Sequence, residues 1–298
     1  MKRRHFIRNT AFSFAALSVA DQKILTALFK EPWKITMLTD DLGIFEERGG
    51  TIAFVLSKDG IVVVDSQFPD QSQHLIDELK KKSEKPFKLL INTHHHADHT
   101  AGNISFKGIA EHVLAHENSK KNQEASAIKN KNEDKQLYPD MTYTSTWCEK
   151  IAKENICLYY YGPAHTNGDS FVHFEHDNIV HCGDLVFNRR HPYVDRSAGA
   201  SIKNWIEVLN IGLKKFDKKT KFIFGHSGEG YDIKGTADEL HAFRDYLGHV
   251  LKFVEGEIKS GKSKEEILKT TLIPGGEEWK TDGIQRPLGA AYDELTEK

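Results

Sequence analysis

Short apolar runs alternate with polar, turn-rich stretches along most of the chain, and their spacing predicts strands and helices in turn. Lys34–Leu38, Thr51–Leu56 and Ile61–Val64 read as strands, parted by Gly49-Gly50 and by the hairpin signal Asp59-Gly60. Asp70–Lys82 reads as a helix and Phe87–Asn92 as a buried strand. Strand, helix, strand in that order implies an α/β layer arrangement. His116–Lys131 is polar and helical in pattern, an insertion beside whatever follows Asn92. Ile156–Tyr160, Ser170–Phe174 and Ile179–Cys182 are the next strands, and Phe222–Phe224 is a short buried one. Ser201–Phe216 places Ile202, Trp205, Ile206, Leu209, Leu213 and Phe216 at helical spacing. A longer amphipathic helix carries Leu240, Phe243, Leu247, Val250, Leu251, Val254 and Ile258, with Gly261 beyond it. Thr236 and Glu239 stand at capping-box spacing before it, as do Ser263 and Glu266 before another helix. No low-complexity linker interrupts residues 34–298, which read as one domain.

The first twenty residues follow other rules. Met1 to Arg8 is basic, Ala11 to Ala20 is mildly apolar, and Ser18-Val19-Ala20 offers small residues of the kind a signal peptidase cleaves. The apolar stretch is too short to span a bilayer. Arg3-Arg4 followed by Phe6-Ile7 resembles a twin-arginine export signal, which makes residues 1–20 a leader and the periplasm the expected location. The alternative is an amphipathic helix that stays attached to a cytoplasmic protein.

Composition narrows the classes. With 298 residues, 39% hydrophobic and 28% charged, the chain can bury a large core and reads as an ordinary globular protein. Its net charge of -2 offers no basic field for nucleic acid or an anionic membrane, so a small-molecule substrate is the expected partner. Oligomeric state is not written in the sequence. Lys80-Lys81-Lys82 and the lysines from Lys214 to Lys221 read as solvated faces. Three cysteines do not make a disulfide scaffold; Cys148 and Cys157 could bridge a hairpin, which the sequence alone leaves open, while Cys182 reads as strand packing.

The chemistry is concentrated in Thr93-His94-His95-His96-Ala97-Asp98-His99, directly behind the apolar run Phe87–Ile91. In an extended segment alternate side chains share a face, so His94 and His96 can address one ion, with Asp98 and His99 turned toward a second. Imidazole and carboxylate suit zinc or iron better than calcium or magnesium, and manganese is tolerated. Three later segments share one layout, a short strand, then glycine, then a ligand: Gly162-Pro163-Ala164-His165-Thr166, Gly183-Asp184 and Gly225-His226.

These segments, in this order, resemble the motifs of the metallo-β-lactamase superfamily, and Val64-Asp65 resembles its first motif. The similarity covers nearly all of the chain after residue 33. It implies a four-layer αββα sandwich with the site at the edge of two sheets. It further implies that His94, His96 and His165 hold one metal, that Asp98, His99 and His226 hold the other, that Asp184 bridges, and that Asp65 supports the ligands from behind. Asp98 would also orient the nucleophile. Such a site implies a dinuclear zinc hydrolase of an ester, lactone, thioester or amide-type bond.

Departures narrow the branch. Cysteine-containing β-lactamases place Cys where Asp184 stands and a substrate-binding Lys where Phe187 stands, so efficient β-lactam hydrolysis by that mode is not expected, and a β-lactamase of weak activity stays only as an alternative. The histidine turn is locally like glyoxalase II, but no glutathione pocket is recognisable. Gly-Pro-Ala-His-Thr-Asn-Gly-Asp and Gly-Asp-Leu-Val-Phe look most like exported zinc hydrolases associated with quinoprotein and sulfur-oxidation systems. In the loop after Phe187, Arg189 or Arg190 could grip a carboxylate or sulfate, with His191 beside them, or the loop could simply be solvated. Other classes remain in view: a di-iron oxidoreductase resembling persulfide dioxygenases, and a nucleic-acid phosphodiesterase, which the acidity and the leader disfavour.

Overall fold

The computed structural model describes residues 33–297, so the leader expected over residues 1–20 lies outside the described residues. From Ile35 onward the chain forms one compact unit built on two sheets. The first is seven-stranded, in sequence order: β1 (Lys34–Met37), β2 (Leu42–Glu46), β3 (Ile52–Ser57), β4 (Gly60–Val64), β5 (Phe87–Asn92), β6 (Ala110–His116) and β7 (Met141–Tyr143). β2, β3 and β4 pair antiparallel, with Ser57 opposite Gly60 at the hairpin that Asp59-Gly60 foretold. β4 through β7 run parallel. Helix α1 (Pro69–Lys82) connects β4 to β5, the one-turn α2 (Ala97–Thr100) follows β5, and α3 (Glu117–Asn130) connects β6 to β7.

The second sheet comprises β8 (Thr146–Ile151), β9 (Glu154–Tyr159), β10 (Phe171–Phe174), β11 (Ile179–His181), β13 (Lys221–Ile223) and β15 (Lys234–Gly235), adjacent in that order. Two short strands, β12 (Phe187–Asn188) and β14 (His226–Ser227), pair parallel and set Phe187 opposite His226. Helices α4 (Ile202–Lys215), α5 (Ala237–Lys259), α6 (Lys264–Ile267) and α7 (Gln285–Thr296) complete the chain.

Side-chain alternation explains the layering. Ala53 and Val55, Val62 and Val64, and Leu89 and Ile91 face the second sheet, where they meet Ile156, Leu158, Val172, Phe174 and Ile223. Behind the second sheet, Phe171, Val180 and Phe222 pack on Trp205 and Leu209 of α4 and on Phe243, Leu247 and Val250 of α5. Helices therefore flank a pair of sheets in an αββα sandwich. Both capping boxes read from the sequence form, at Thr236–Glu239 and at Ser263–Glu266. The lysines at 80–82 end α1 on an exposed face, where they complement the helix dipole. Cys148 and Cys157 lie opposite each other on β8 and β9 and are joined by a disulfide. Cys182 is buried in the core behind the second sheet.

Candidate metal centre

β5 delivers the histidine turn. It is a central parallel strand, and the chain leaves its C-terminal end through Thr93 before folding into α2, so His94, His95, His96, Asp98 and His99 fan out from one strand end. The second sheet supplies the rest. His165 lies in the loop from β9 to β10, Asp184 in a single 3-10 turn after β11, and His226 on β14. Gly183 has φ of 48°, which lets that turn bend sharply enough to aim Asp184. Gly225 lies so close to Asp184 that an added Cβ would collide with the carboxylate.

Ligand atoms of His94, His96, His165 and Asp184 all lie within 4.8 Å of one another, as do those of Asp98, His99 and His226. His96 Nδ1 is 3.1 Å from His94 Nε2 and 2.8 Å from His165 Nε2. His226 Nε2 is 3.1 Å from Asp98 Oδ2, and His99 Nε2 is 3.1 Å from Asp184 Oδ1. Asp184 stands between the two groups: Oδ1 is 3.5 Å from His226 Nε2, and Oδ2 is 3.5 Å from His165 Nε2.

The far side of four of the five rings explains why their nitrogens face inward. Thr93 Oγ1 donates to Asp65 Oδ2 at 2.8 Å, which leaves it to accept from His94 Nδ1 at 3.1 Å. His165 Nδ1 donates to the Tyr193 carbonyl at 2.7 Å, and His99 Nδ1 to Asp65 Oδ2 at 2.7 Å. His96 Nε2 meets Asp195 Oδ2 at 3.0 Å. A ring whose outer nitrogen donates a proton presents a lone pair from the inner one. Asp65 itself follows β4 in the left-handed region, φ 65°, and also accepts the Thr93 backbone N–H at 2.8 Å.

Electrostatics agree with this donor set. Burial holds His94 well below the ordinary imidazole value, with repulsion from His99 adding to it. Burial, then His96, brings His165 down to about 3. Burial would lower His99 too, but Asp184, Asp65 and Asp98 outweigh it and raise the ring well above its usual value. Burial pushes Asp98 up, yet His99 and the His226 hydrogen bond bring it down to about 2. Converging lone pairs, carboxylates crowded round one imidazole, and the buried His99 Nε2 and Asp184 Oδ1, which face each other without a well-formed hydrogen bond, fit divalent cations.

Beside the ligands opens a cavity of about 330 Å³, walled by Phe187, Arg190, His191, Tyr193 and Arg286. The seven ligand positions read from the sequence meet here, with Asp65 behind them, and Arg190 and His191 on the wall. His191 Nδ1 is 2.6 Å from the Tyr246 hydroxyl, which ties the ring to the core. Arg189 is elsewhere: its Nε pairs with Glu278 at 2.7 Å and its guanidinium lies over the Trp279 ring. His95 is kept out of both ligand groups, its Nε2 3.7 Å from Asp195. Asp195, Tyr193 and Arg286 were not singled out in the sequence. The first two sit in the loop flagged after Phe187, whereas Arg286 lies far down the chain with no motif around it.

Comparison with known proteins agrees with the fold. The sequence profile of the metallo-β-lactamase superfamily matches residues 46–147. Metallo-β-lactamase IND-1 of Chryseobacterium indologenes is 27% identical over 196 residues, 62% of this chain and 75% of that protein. A protein named "Probable hydroxyacylglutathione hydrolase" in Schizosaccharomyces pombe is 24% identical over 63% of this chain and 69% of its own. Among solved structures, a metallo-β-lactamase from Pontibacter korlensis superposes with a TM-score of 0.61 at 19% identity, covering 72% of this chain and 99% of that one. Residues 46–147 thus match the metallo-β-lactamase superfamily, and the fold and these relatives, a metallo-β-lactamase and a probable hydroxyacylglutathione hydrolase, agree with that match. Since the profile ends at residue 147, it spans the histidine turn but not His165, Asp184 or His226, which geometry alone brings to the site.

Proposed function

We propose that this chain is a dinuclear zinc-dependent hydrolase of an ester, lactone, thioester or amide-type bond. One observation carries the reading: ring nitrogens and carboxylates from both sheets converge on two adjoining points, and four of the five rings are anchored from behind. His94, His96 and His165 would hold one zinc, Asp98, His99 and His226 the other, with Asp184 shared. Two zinc ions at such a site lower the pKa of water toward neutrality and polarise the bond under attack.

The chain's own groups do the remaining work. Asp98 is held ionised at neutral pH, so its carboxylate can accept a hydrogen bond from the attacking water and fix its direction. Phe187 stacks on His226 with ring centroids 5.6 Å apart and gives the cavity an apolar floor. Tyr193 lies against His96 at 5.4 Å and, 44% exposed, forms part of the cavity wall. Asp65, Thr93 and Asp195 keep the imidazoles from turning.

Export to the periplasm belongs to the same reading. The leader-like residues 1–20 support it, and so does the Cys148–Cys157 disulfide, since such bonds persist in oxidising compartments. The test is metal analysis of the purified chain followed by a panel of lactams, lactones, thioesters and sulfate esters. We expect about two zinc ions per chain and hydrolysis that His96→Ala abolishes. Zinc-loaded protein inert across the panel would sink the proposal; bound iron with oxygen uptake on a persulfide would replace it with a di-iron oxidoreductase.

A further inference from the structure

We propose that Arg190 and Arg286 form a clamp for an oxyanion, so that the substrate carries a carboxylate or sulfonate group near the bond that is cleaved. The word substrate rests on the hydrolase reading; anion binding by the two arginines does not.

Both side chains line the cavity of about 330 Å³ together with the metal-ligand candidates. The other arginines among the described residues are occupied. Arg189 pairs with Glu278, Arg196 with Glu294 and Glu297, and Arg244 with Asp245, while Arg48 lies over Phe68. Arg190 and Arg286 have no carboxylate partner among the described residues. The carboxylates on the same cavity wall, Asp98 and Asp184, are turned to histidines. Arg190 also borders an adjoining pocket of about 190 Å³ that includes Glu47, but that carboxylate is taken by His74 at 3.0 Å. Both arginines, exposed at their outer ends, therefore border one cavity, and among the described residues neither is paired with Glu46, Glu47, Asp98 or Asp184.

Their placement breaks a local rule. Arg286 stands in the first turn of α7, where the helix dipole favours anions, and that turn contains no acidic residue. Arg190 is aimed by its neighbour. Arg189 adopts φ of 55° and is pinned by Glu278 and by the Trp279 and Tyr231 rings, so the turn that projects Arg190 is fixed. A planar guanidinium pair matches the two or three oxygens of a carboxylate or sulfonate. Tyr193, whose phenol lies in the field of Arg286, and Phe187 flank the clamp and suit an apolar or aromatic body on the ligand.

The experiment compares the zinc-loaded full chain on phenyl acetate, 4-carboxyphenyl acetate and 4-sulfophenyl acetate. The preference in kcat/KM for an anionic ester over the neutral one should fall about 10- to 100-fold in Arg286→Gln and in Arg190→Gln, chiefly through KM. Arg→Lys at each position should restore part of it, and the better of the two charged esters identifies the oxyanion. Isothermal titration with benzoate and benzenesulfonate provides a readout free of turnover, weakening about tenfold or more in each Gln variant. Zinc content and circular dichroism verify folding, and the Lys variants stand in if a Gln variant misfolds. Equal losses on neutral and charged esters, or benzoate binding indifferent to both arginines, overturns the clamp and leaves the hydrolase standing. Benzoate binding that needs the arginines, without cleavage of any ester, keeps the clamp and removes the hydrolase.

Discussion

Asp169 sits behind the His165 loop, fully buried, and accepts both the backbone N–H and the hydroxyl of Thr166 at 2.7 Å. Burial pushes its carboxyl up to about 6, against those two hydrogen bonds. An acid whose folded value exceeds its unfolded one stabilises the fold only while protonated. Its contribution is complete below about pH 4, where the unfolded chain is protonated too, and is lost as pH rises through about 6. Asp169→Asn removes this titration while keeping an oxygen acceptor. Urea unfolding of the metal-free protein at pH 4.5 and 6.5 should show wild type losing about 2 kcal/mol more than the variant across that interval. Parallel behaviour of the two proteins would exclude the assignment. Asp169 also shows where residue-level reading fails: a lone Asp in a Gly-Asp loop looks like turn chemistry, and only burial reveals it as part of the support for a histidine.

Strands, helices and turns differ in how openly the sequence states them. α1, α4 and α5 carry apolar residues at helical spacing; β4 is an unbroken apolar run and β5 is apolar apart from Lys88 and Asn92, because helices and the other sheet cover both their faces. β2 escaped notice: Leu42 to Phe45 is wholly buried, but it follows Asp40-Asp41 and includes Gly43, which together read as a turn. β7 and β8 lie at sheet edges and expose polar residues, so their pattern is weak. α7 contains Pro287 and Gly289 and reads as broken, yet Pro287 falls in the first turn, where no helical N–H is lost. Cysteine spacing left the β8–β9 bridge open; the strand register decides it, because Cys148 and Cys157 are direct partners. With a sequence separation of 9, that crosslink should stabilise the fold by about 2–3 kcal/mol. Reduction, or Ser at both positions, is expected to lower Tm by about 5–10 °C in a thermal melt while zinc content is retained. An unchanged Tm under reductant would show that the hairpin is held by packing alone.

Across the whole molecule, the ligands were legible one segment at a time, but their union was not. Nothing in residues 93–99 says which distant loops complete them; the resemblance supplied that, and the approach of β12 to β14 shows how Phe187 and His226 come to lie together. The arginines of the cavity wall and Asp195 depend on packing between remote segments, which periodicity does not encode. Chelation probes the union directly. Ligands that bind only the folded chain stabilise it in proportion to the logarithm of their excess over Kd, about 4 kcal/mol at a thousandfold excess. If the proposed metal is bound, stripping it with a chelator should therefore lower Tm by ~10 °C, reversibly on readdition. A melt insensitive to chelator would mean that the donors are preorganised without help from an ion.

The division of donors between the two sheets has a further meaning for biosynthesis. β5 and its turn supply His94, His96, Asp98 and His99, while His165, Asp184 and His226 arrive with the second sheet. Neither half carries a full coordination set. A ribosome that has finished only the first sheet has made the most conspicuous stretch of the chain and no complete place for an ion. Under the proposed assignment, metal capture is a late event, a checkpoint passed only when both halves have docked. Nascent or truncated chains that display the histidine turn remain distinguishable from finished protein by what they fail to retain.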